Sequence, residues 1–163
     1  MLCCIQGNQI SKKMEQYIVR KQITINAEPA LVWDALTNPE KTKEYFFNCE
    51  VFSDWKTGSS ITFKGHIFLI KKIEMKGEIL AIEPGKSLKY KLVNHDDDDH
   101  PSTSTVTDEL SYANGVTTLS ITDDVGSGEG AEKRYERSEK GWDKVLNGLK
   151  ELVEKEKFSE QNS

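Results

Sequence analysis

The chain has 163 residues and a mass of 18.5 kDa, which is enough for one domain with a substantial core. Its 22 basic residues, nineteen of them Lys, are scattered among 27 acidic ones, and the net charge is -5. This distribution argues against a nucleic-acid surface, which needs clustered cations. The longest apolar run, residues 66–70, is too short to span a membrane.

Two further features of the composition concern location. Three cysteines, Cys3, Cys4 and Cys49, provide no disulfide framework, and the first residues lack the charged and then apolar pattern of a secretory signal. We therefore expect a cytoplasmic protein. Residues 1–16 show no sustained apolar period, which predicts a mobile N-terminal extension.

The first predicted elements are a strand and two short helices. Residues 17–25 alternate between apolar and polar, as a half-buried strand does. Asn26 is predicted to cap a first helix, whose first turn contains Pro29. Thr37 or Asn38 is predicted to cap a second helix that begins at Pro39, because a proline forces the residue before it out of the α region.

Six more strands follow. Alternation predicts them at residues 49–53, 60–64, 73–82, 87–93, 103–113 and 116–122. Pro84-Gly85 suits the centre of a type II turn, and Asn114-Gly115 is a strong signal for a tight hairpin. The strands are therefore expected to pair mostly antiparallel.

A long amphipathic helix is predicted over residues 131–157, with residues 158–163 as a tail. Its apolar stripe consists of Tyr135, Trp142, Val145, Leu146, Leu149, Leu152 and Val153. A seven-stranded sheet can cover this stripe only if it curls around the helix. The expected fold is α+β of the helix-grip type, a curved antiparallel sheet around the long C-terminal helix, in a single domain over residues 17–157.

Several short motifs support a family resemblance when they are taken in order with the helix pair. They are Tyr45-Phe46, Trp55-Lys56-Thr57-Gly58, Gly77-Glu78-Ile79-Leu80-Ala81-Ile82-Glu83-Pro84, Asn114-Gly115-Val116-Thr117-Thr118-Leu119 and Gly141-Trp142. The chain resembles the family of homologues of the activator of heat-shock protein 90 ATPase, within the START-like or birch-pollen-allergen-like superfamily. The resemblance implies a helix-grip fold in which a cavity commonly lies between sheet and helix.

Three functional hypotheses follow. The first is a non-catalytic domain that binds an unknown apolar or amphipathic small molecule in this cavity. Its expected wall is formed by Phe63, Leu88, Tyr90, Tyr112 and Leu119 on the sheet, and by Trp142, Val145, Leu146 and Leu149 on the helix. The second, which the resemblance implies, is a protein-interaction module that contacts a chaperone or another protein. The third is an enzyme with acid–base groups among Glu78, Tyr90, Asp108, Tyr112 and Tyr135.

No catalytic residue, metal or cofactor is predicted. His95-Asp96-Asp97-Asp98-Asp99-His100-Pro101 contains metal-binding residue types, but such a run is more typical of a solvated loop tip. Residues 126–131 match part of a dinucleotide fingerprint without the parallel strand that it needs. Phe68-Leu69-Ile70 is interpreted as a buried strand or an apolar flap, and Trp33 and Trp55 as core residues. Monomer and homodimer both remain open.

Overall fold

The computed structural model describes residues 16–67, 70–94 and 102–163. These residues form seven strands, β1 Ile18–Ile25, β2 Cys49–Ser53, β3 Ser60–Ile67, β4 Lys71–Glu83, β5 Ser87–Asn94, β6 Ser102–Ala113 and β7 Val116–Asp124. They also form three helices, α1 Pro29–Thr37, α2 Pro39–Tyr45 and α3 Ala131–Gln161. All neighbouring strands pair antiparallel in the order β1-β7-β6-β5-β4-β3-β2. The predicted helix-grip fold is confirmed.

The helix pair shows one correct and one wrong capping prediction. Asn38 caps α2, because its side-chain oxygen accepts a hydrogen bond from the backbone N–H of Glu40 at 3.1 Å. Asn26 does not cap α1, whose N-cap is Glu28, with no side-chain cap hydrogen bond. Instead, the backbone N–H of Asn26 donates to the carboxylate of Glu154 on α3 at 3.0 Å. A long-range contact thus fixes Asn26, and the N-cap of α1 falls two residues later than predicted, at Glu28.

The two predicted turns have the backbone geometry that their sequences require. Gly85 has φ = 77°, and the N–H of Lys86 donates to the carbonyl of Glu83 at 2.9 Å. Asn114 and Gly115 both have positive φ, 54° and 80°, as a type I′ hairpin demands. The local sequence therefore determines how β4 joins β5 and how β6 joins β7.

The helix α3 continues to Gln161, beyond its predicted end at residue 157, so residues 158–161 of the predicted tail are helical. The apolar stripe weakens after Val153, but the following Glu, Lys, Ser and Gln residues contain no Gly or Pro that would end a helix. Phe158 lies on this last part and is 69% exposed. Intrinsic helix propensity and not burial therefore sets the end of the helix.

Two apolar clusters pack between the sheet and the helices. The first joins α1, β7 and the second half of α3, and its members are Ile25, Ala27, Val32, Ala35, Leu119, Ile121, Leu146, Leu149 and Val153. The second lies on the concave face of β2 to β6, with Cys49, Val51, Ile61, Phe63, Ile79, Leu88, Tyr90, Leu92 and Val106. Trp142 packs against both, whereas Trp33 and Trp55 pack against the second. The first half of α3 thus lies over the second cluster.

Candidate functional site

A cavity of about 890 Å³ lies between the first half of α3, the concave face of β4 to β7, and the chain that links α2 to β2. Its size falls in the range of small-molecule sites. The sheet contributes Ile73, Met75, Tyr90, Leu92, Ser104, Val106, Asp123 and Val125, and the α2–β2 side contributes Phe46, Phe47, Asn48, Cys49 and, from β3, His66. The helix side contributes Arg134, Arg137, Ser138, Lys140, Gly141, Trp142, Lys144 and Val145. Most of the sheet side is apolar.

A second, much smaller cavity of about 20 Å³ lies deeper in the core. Its volume is enough for about one water molecule. Phe46, Tyr90, Trp142 and Val145 line both cavities and therefore separate them. On the side of the small cavity the interior is packed, and on the side of the large cavity it is open.

The structure divides the nine wall residues of the binding hypothesis into three groups. Tyr90, Trp142 and Val145 line the large cavity. Five more line the small cavity instead: Phe63, Leu88, Leu119, Leu146 and Leu149.

Tyr112 lines neither of these two cavities, unlike the other eight predicted wall residues. It is 45% exposed, and its hydroxyl donates to Glu28 Oε1 at 2.7 Å. This hydrogen bond is the main reason why the pKa of Tyr112 is raised. Tyr112 shares the inward phase of β6 with Val106 and Asp108, but it lies at the hairpin end, beside the start of α1.

Asp123 connects the wall of the cavity to α3. Its Oδ2 accepts hydrogen bonds from Ser138 Oγ at 2.6 Å and from Trp142 Nε1 at 3.0 Å. Its Oδ1 is buried and has no hydrogen-bond partner among the described residues. Burial raises the pKa of this carboxyl, although the two hydrogen bonds oppose the change. The indole of Trp142 is thereby held in a fixed orientation at the boundary of the two cavities.

Asp108 is a second buried carboxyl, only 4% exposed, and it lines the small cavity. Its Oδ1 also has no hydrogen-bond partner within the described residues. Burial, and then the charge of Asp123, raise its pKa to about 7. The pKa of Tyr45 and that of Tyr90 are also raised, by burial first and by Asp108 second.

The five acid–base candidates do not all converge on one point, although Tyr90 and Asp108 both line the small cavity. Asp108 and Tyr90 face the interior, whereas Glu78 is exposed. Tyr135 packs its ring against that of Tyr17, with centroids 6.2 Å apart. Among residues 16–67, 70–94 and 102–163, no three His, Cys, Asp or Glu side chains are arranged to hold a metal ion.

Some predictions concern residues that the structure does not describe. Cys3, Cys4, the tract from His95 to Pro101, and Phe68 and Leu69 lie outside the described residues. Ile70, the last residue of the predicted flap, is 89% exposed. No helix within the described parts is long and apolar enough to cross a membrane.

The polar residues of the large cavity were missed by the sequence analysis, although one signal was present. Asp123 follows Leu119 and Ile121 at a spacing of two, and Ser104 precedes Val106 in the same way. Side chains two apart on a strand share a face. Strict application of this rule would have placed both polar residues beside the apolar lining.

Comparison with known proteins agrees with this geometry. The family model described as Activator of Hsp90 ATPase homolog 1-like protein matches residues 26–154. The solved structure of ChR145 from Cytophaga hutchinsonii is 34% identical, with a TM-score of 0.66, covering 85% of this chain and 94% of that chain. MLL2253 from Mesorhizobium loti is 24% identical, with a TM-score of 0.71 and coverage of 85% and 97%. The Aha1 dimer from Colwellia psychrerythraea is 17% identical, with a TM-score of 0.64 and coverage of 84% and 96%.

No protein of curated function matches the chain significantly. The curved sheet, the long helix and the cavity between them define a helix-grip domain of the START-like class. Within that class, the chain belongs to the family of Activator of Hsp90 ATPase homolog 1-like proteins.

Proposed function

We propose that this protein binds an apolar or amphipathic small molecule in the large cavity, without catalysing a reaction on it. The observation that supports this proposal is the 890 Å³ of open space beside an otherwise packed core. Protein interiors are close-packed, and lost contacts around a void cost stability. A ligand with an apolar body would restore those contacts with Ile73, Met75, Leu92 and Val106.

The apolar sheet side of the cavity has few polar groups close to it, and these are well placed for orienting a ligand. Ser104, Asp123 and Ser138 lie on the lining, while the rest of the sheet side is mainly apolar. Binding sites for small molecules commonly combine a predominantly apolar wall with a small number of such groups. A surface that only contacts solvent would not be expected to have such an apolar lining.

Filling the cavity should abolish binding without unfolding the protein. Leu92 is 5% exposed and lines the large cavity, so Leu92→Trp adds bulk where there is room for it. We expect at least a tenfold loss of affinity for Nile red, an uncharged lipophilic dye whose fluorescence reports its environment, with a melting temperature close to that of the wild type.

The neighbouring residue provides the matched control. Val93 lies on the same strand with its side chain on the opposite face, outside both cavities. Val93→Trp should bind the dye as the wild type does. If Leu92→Trp binds it equally well, the cavity is not the binding site; if the wild type does not bind it, the proposal is wrong.

A protein-interaction module is the second candidate. Two findings support this candidate. The chain belongs to the family described as Activator of Hsp90 ATPase homolog 1-like protein, and an Aha1 dimer has the same fold. On this chain, Phe158 at the end of α3 is 69% exposed. If the protein self-associates through this end of α3, sedimentation velocity should detect a dimer of the wild type. The substitution Phe158→Ser should dissociate that dimer. A monomer at all concentrations would contradict it.

A further inference from the structure

The rim of the large cavity is positively charged, although the chain as a whole has a net charge of -5. Arg134, Arg137, Lys140 and Lys144 of α3 all contribute to the lining. Asp123 is the one acidic residue among the lining residues that the structure describes. Among the residues that the structure describes, the lining therefore has a net charge opposite in sign to that of the chain.

In the first half of α3, two acidic and two basic side chains lie on different flanks of the helix. Lys21 of β1 lies 3.4 Å from Glu139 Oε1 and 3.0 Å from Asp143 Oδ1, so these acids face β1. Lys140 and Lys144 follow them directly in sequence and face the cavity instead. No ion pair joins either lysine to another described residue. Their charges are thus not used to hold the helix in place.

The cations on the cavity side form a stripe along the helix. Arg137, Lys140 and Lys144 follow one another at spacings of three and four residues, which places them on one side of α3. All three are exposed residues that also line the cavity. Such long side chains lie with their stems along apolar surface and their charges in water. Their charged ends therefore lie at the boundary between the apolar interior and solvent.

Arg134 has a different role on the same helix. Its guanidinium donates hydrogen bonds to the carbonyl oxygens of Val125 at 3.0 Å and Glu129 at 2.9 Å. It therefore stabilises the connection between β7 and α3. The carboxylate of Asp123 accepts hydrogen bonds from Ser138 and Trp142 through Oδ2, and no ion pair joins it to Lys140 or Lys144.

We infer that the ligand is an anionic amphiphile. Its apolar part occupies the cavity, and its carboxylate, sulfonate or phosphate group lies against Lys140 and Lys144. This inference rests on the proposed function and adds to it the charge of the ligand. Positive side chains around a low-dielectric opening also raise the local concentration of anions.

Three probes of equal chain length and different charge test the inference: decanoate, decanol and decylammonium. Each is titrated near neutral pH against the wild type carrying Nile red, at low and at high salt. We expect decanoate to displace the dye about five times more effectively than decanol at low salt, with a smaller advantage at high salt. The double substitution Lys140→Gln, Lys144→Gln should weaken decanoate binding about three- to tenfold and decanol binding less than about twofold.

The control carries the same change of charge on the same helix. Lys133 and Lys155 are exposed and do not line the cavity, so Lys133→Gln, Lys155→Gln should bind all three probes as the wild type does. Equal binding of decanoate and decanol, or tightest binding of decylammonium, would overturn the inference and leave the proposed function standing. If Nile red itself does not bind, the proposed function fails, and this inference with it.

Discussion

Replacing Asp108 with Asn is expected to stabilise the protein at pH 8 by about 3 kcal/mol. Asp108 is 4% exposed, and its pKa is about 7 in the folded state. An unfolded Asp ionises near pH 4, so the folded state binds more protons between about pH 4 and 7. The free energy of unfolding of the wild type should therefore fall as the pH rises through this range, by about 1.4 kcal/mol per unit at most. Asn keeps the shape of the side chain and cannot ionise.

Urea unfolding at a series of pH values checks this expectation. The wild type should lose stability between pH 5 and pH 8, and Asp108→Asn should lose much less. Glu109, the next residue on β6, is exposed on the other face, so Glu109→Gln should follow the wild-type curve. Parallel curves for the wild type and Asp108→Asn would show that Asp108 is not a buried titrating group.

Replacing Gly77 with Ala is expected to lower the free energy of unfolding by about 3 kcal/mol or more, or to prevent folding. Gly77 lies in β4 between β3 and β5, opposite Ile61 and Leu92. A Cβ atom at this position would lie 1.6 Å from the carbonyl oxygen of Lys91, which is backbone and cannot move aside alone. Glycine inside a strand often marks such a close approach of two backbones.

Gly85 provides the comparison for this effect. It has φ = 77°, but a Cβ there would meet nothing within 4 Å. Gly85→Ala should therefore cost only the strain of a left-handed residue, about 1 to 2 kcal/mol. Denaturant unfolding of both variants separates the two causes. Equal losses would mean that β4 and β5 are not closely paired at Gly77.

The fold was predictable because its signals are local. Asn38 before Pro39, the pair Asn114-Gly115 and the alternation along the strands each determine structure within a few residues. Asn26 was assigned wrongly because its backbone N–H bonds to Glu154, 128 residues away in sequence. No local pattern contains that information.

The candidate site was predictable only in part, since a lining residue and a core residue look alike in sequence. Leu149 and Leu92 are both buried and apolar, yet the first contributes to packed core and the second to the wall of an open cavity. The position of α3 over the sheet decides between these outcomes. Burial of Asp108 and Asp123 depends on the same tertiary arrangement, together with the strand phase that they share with their apolar neighbours.

The long helix has a consequence for how such a protein can change over evolutionary time. Its second half, with Leu146, Leu149 and Val153, anchors it in the packed cluster with α1 and β7. Its first half covers open space, and several of its lining residues, such as Lys140 and Lys144, are exposed. Substitutions at these exposed positions can therefore alter the shape and charge of the cavity at little cost in folding free energy. One helix separates the residues that must be kept from those that are able to diverge.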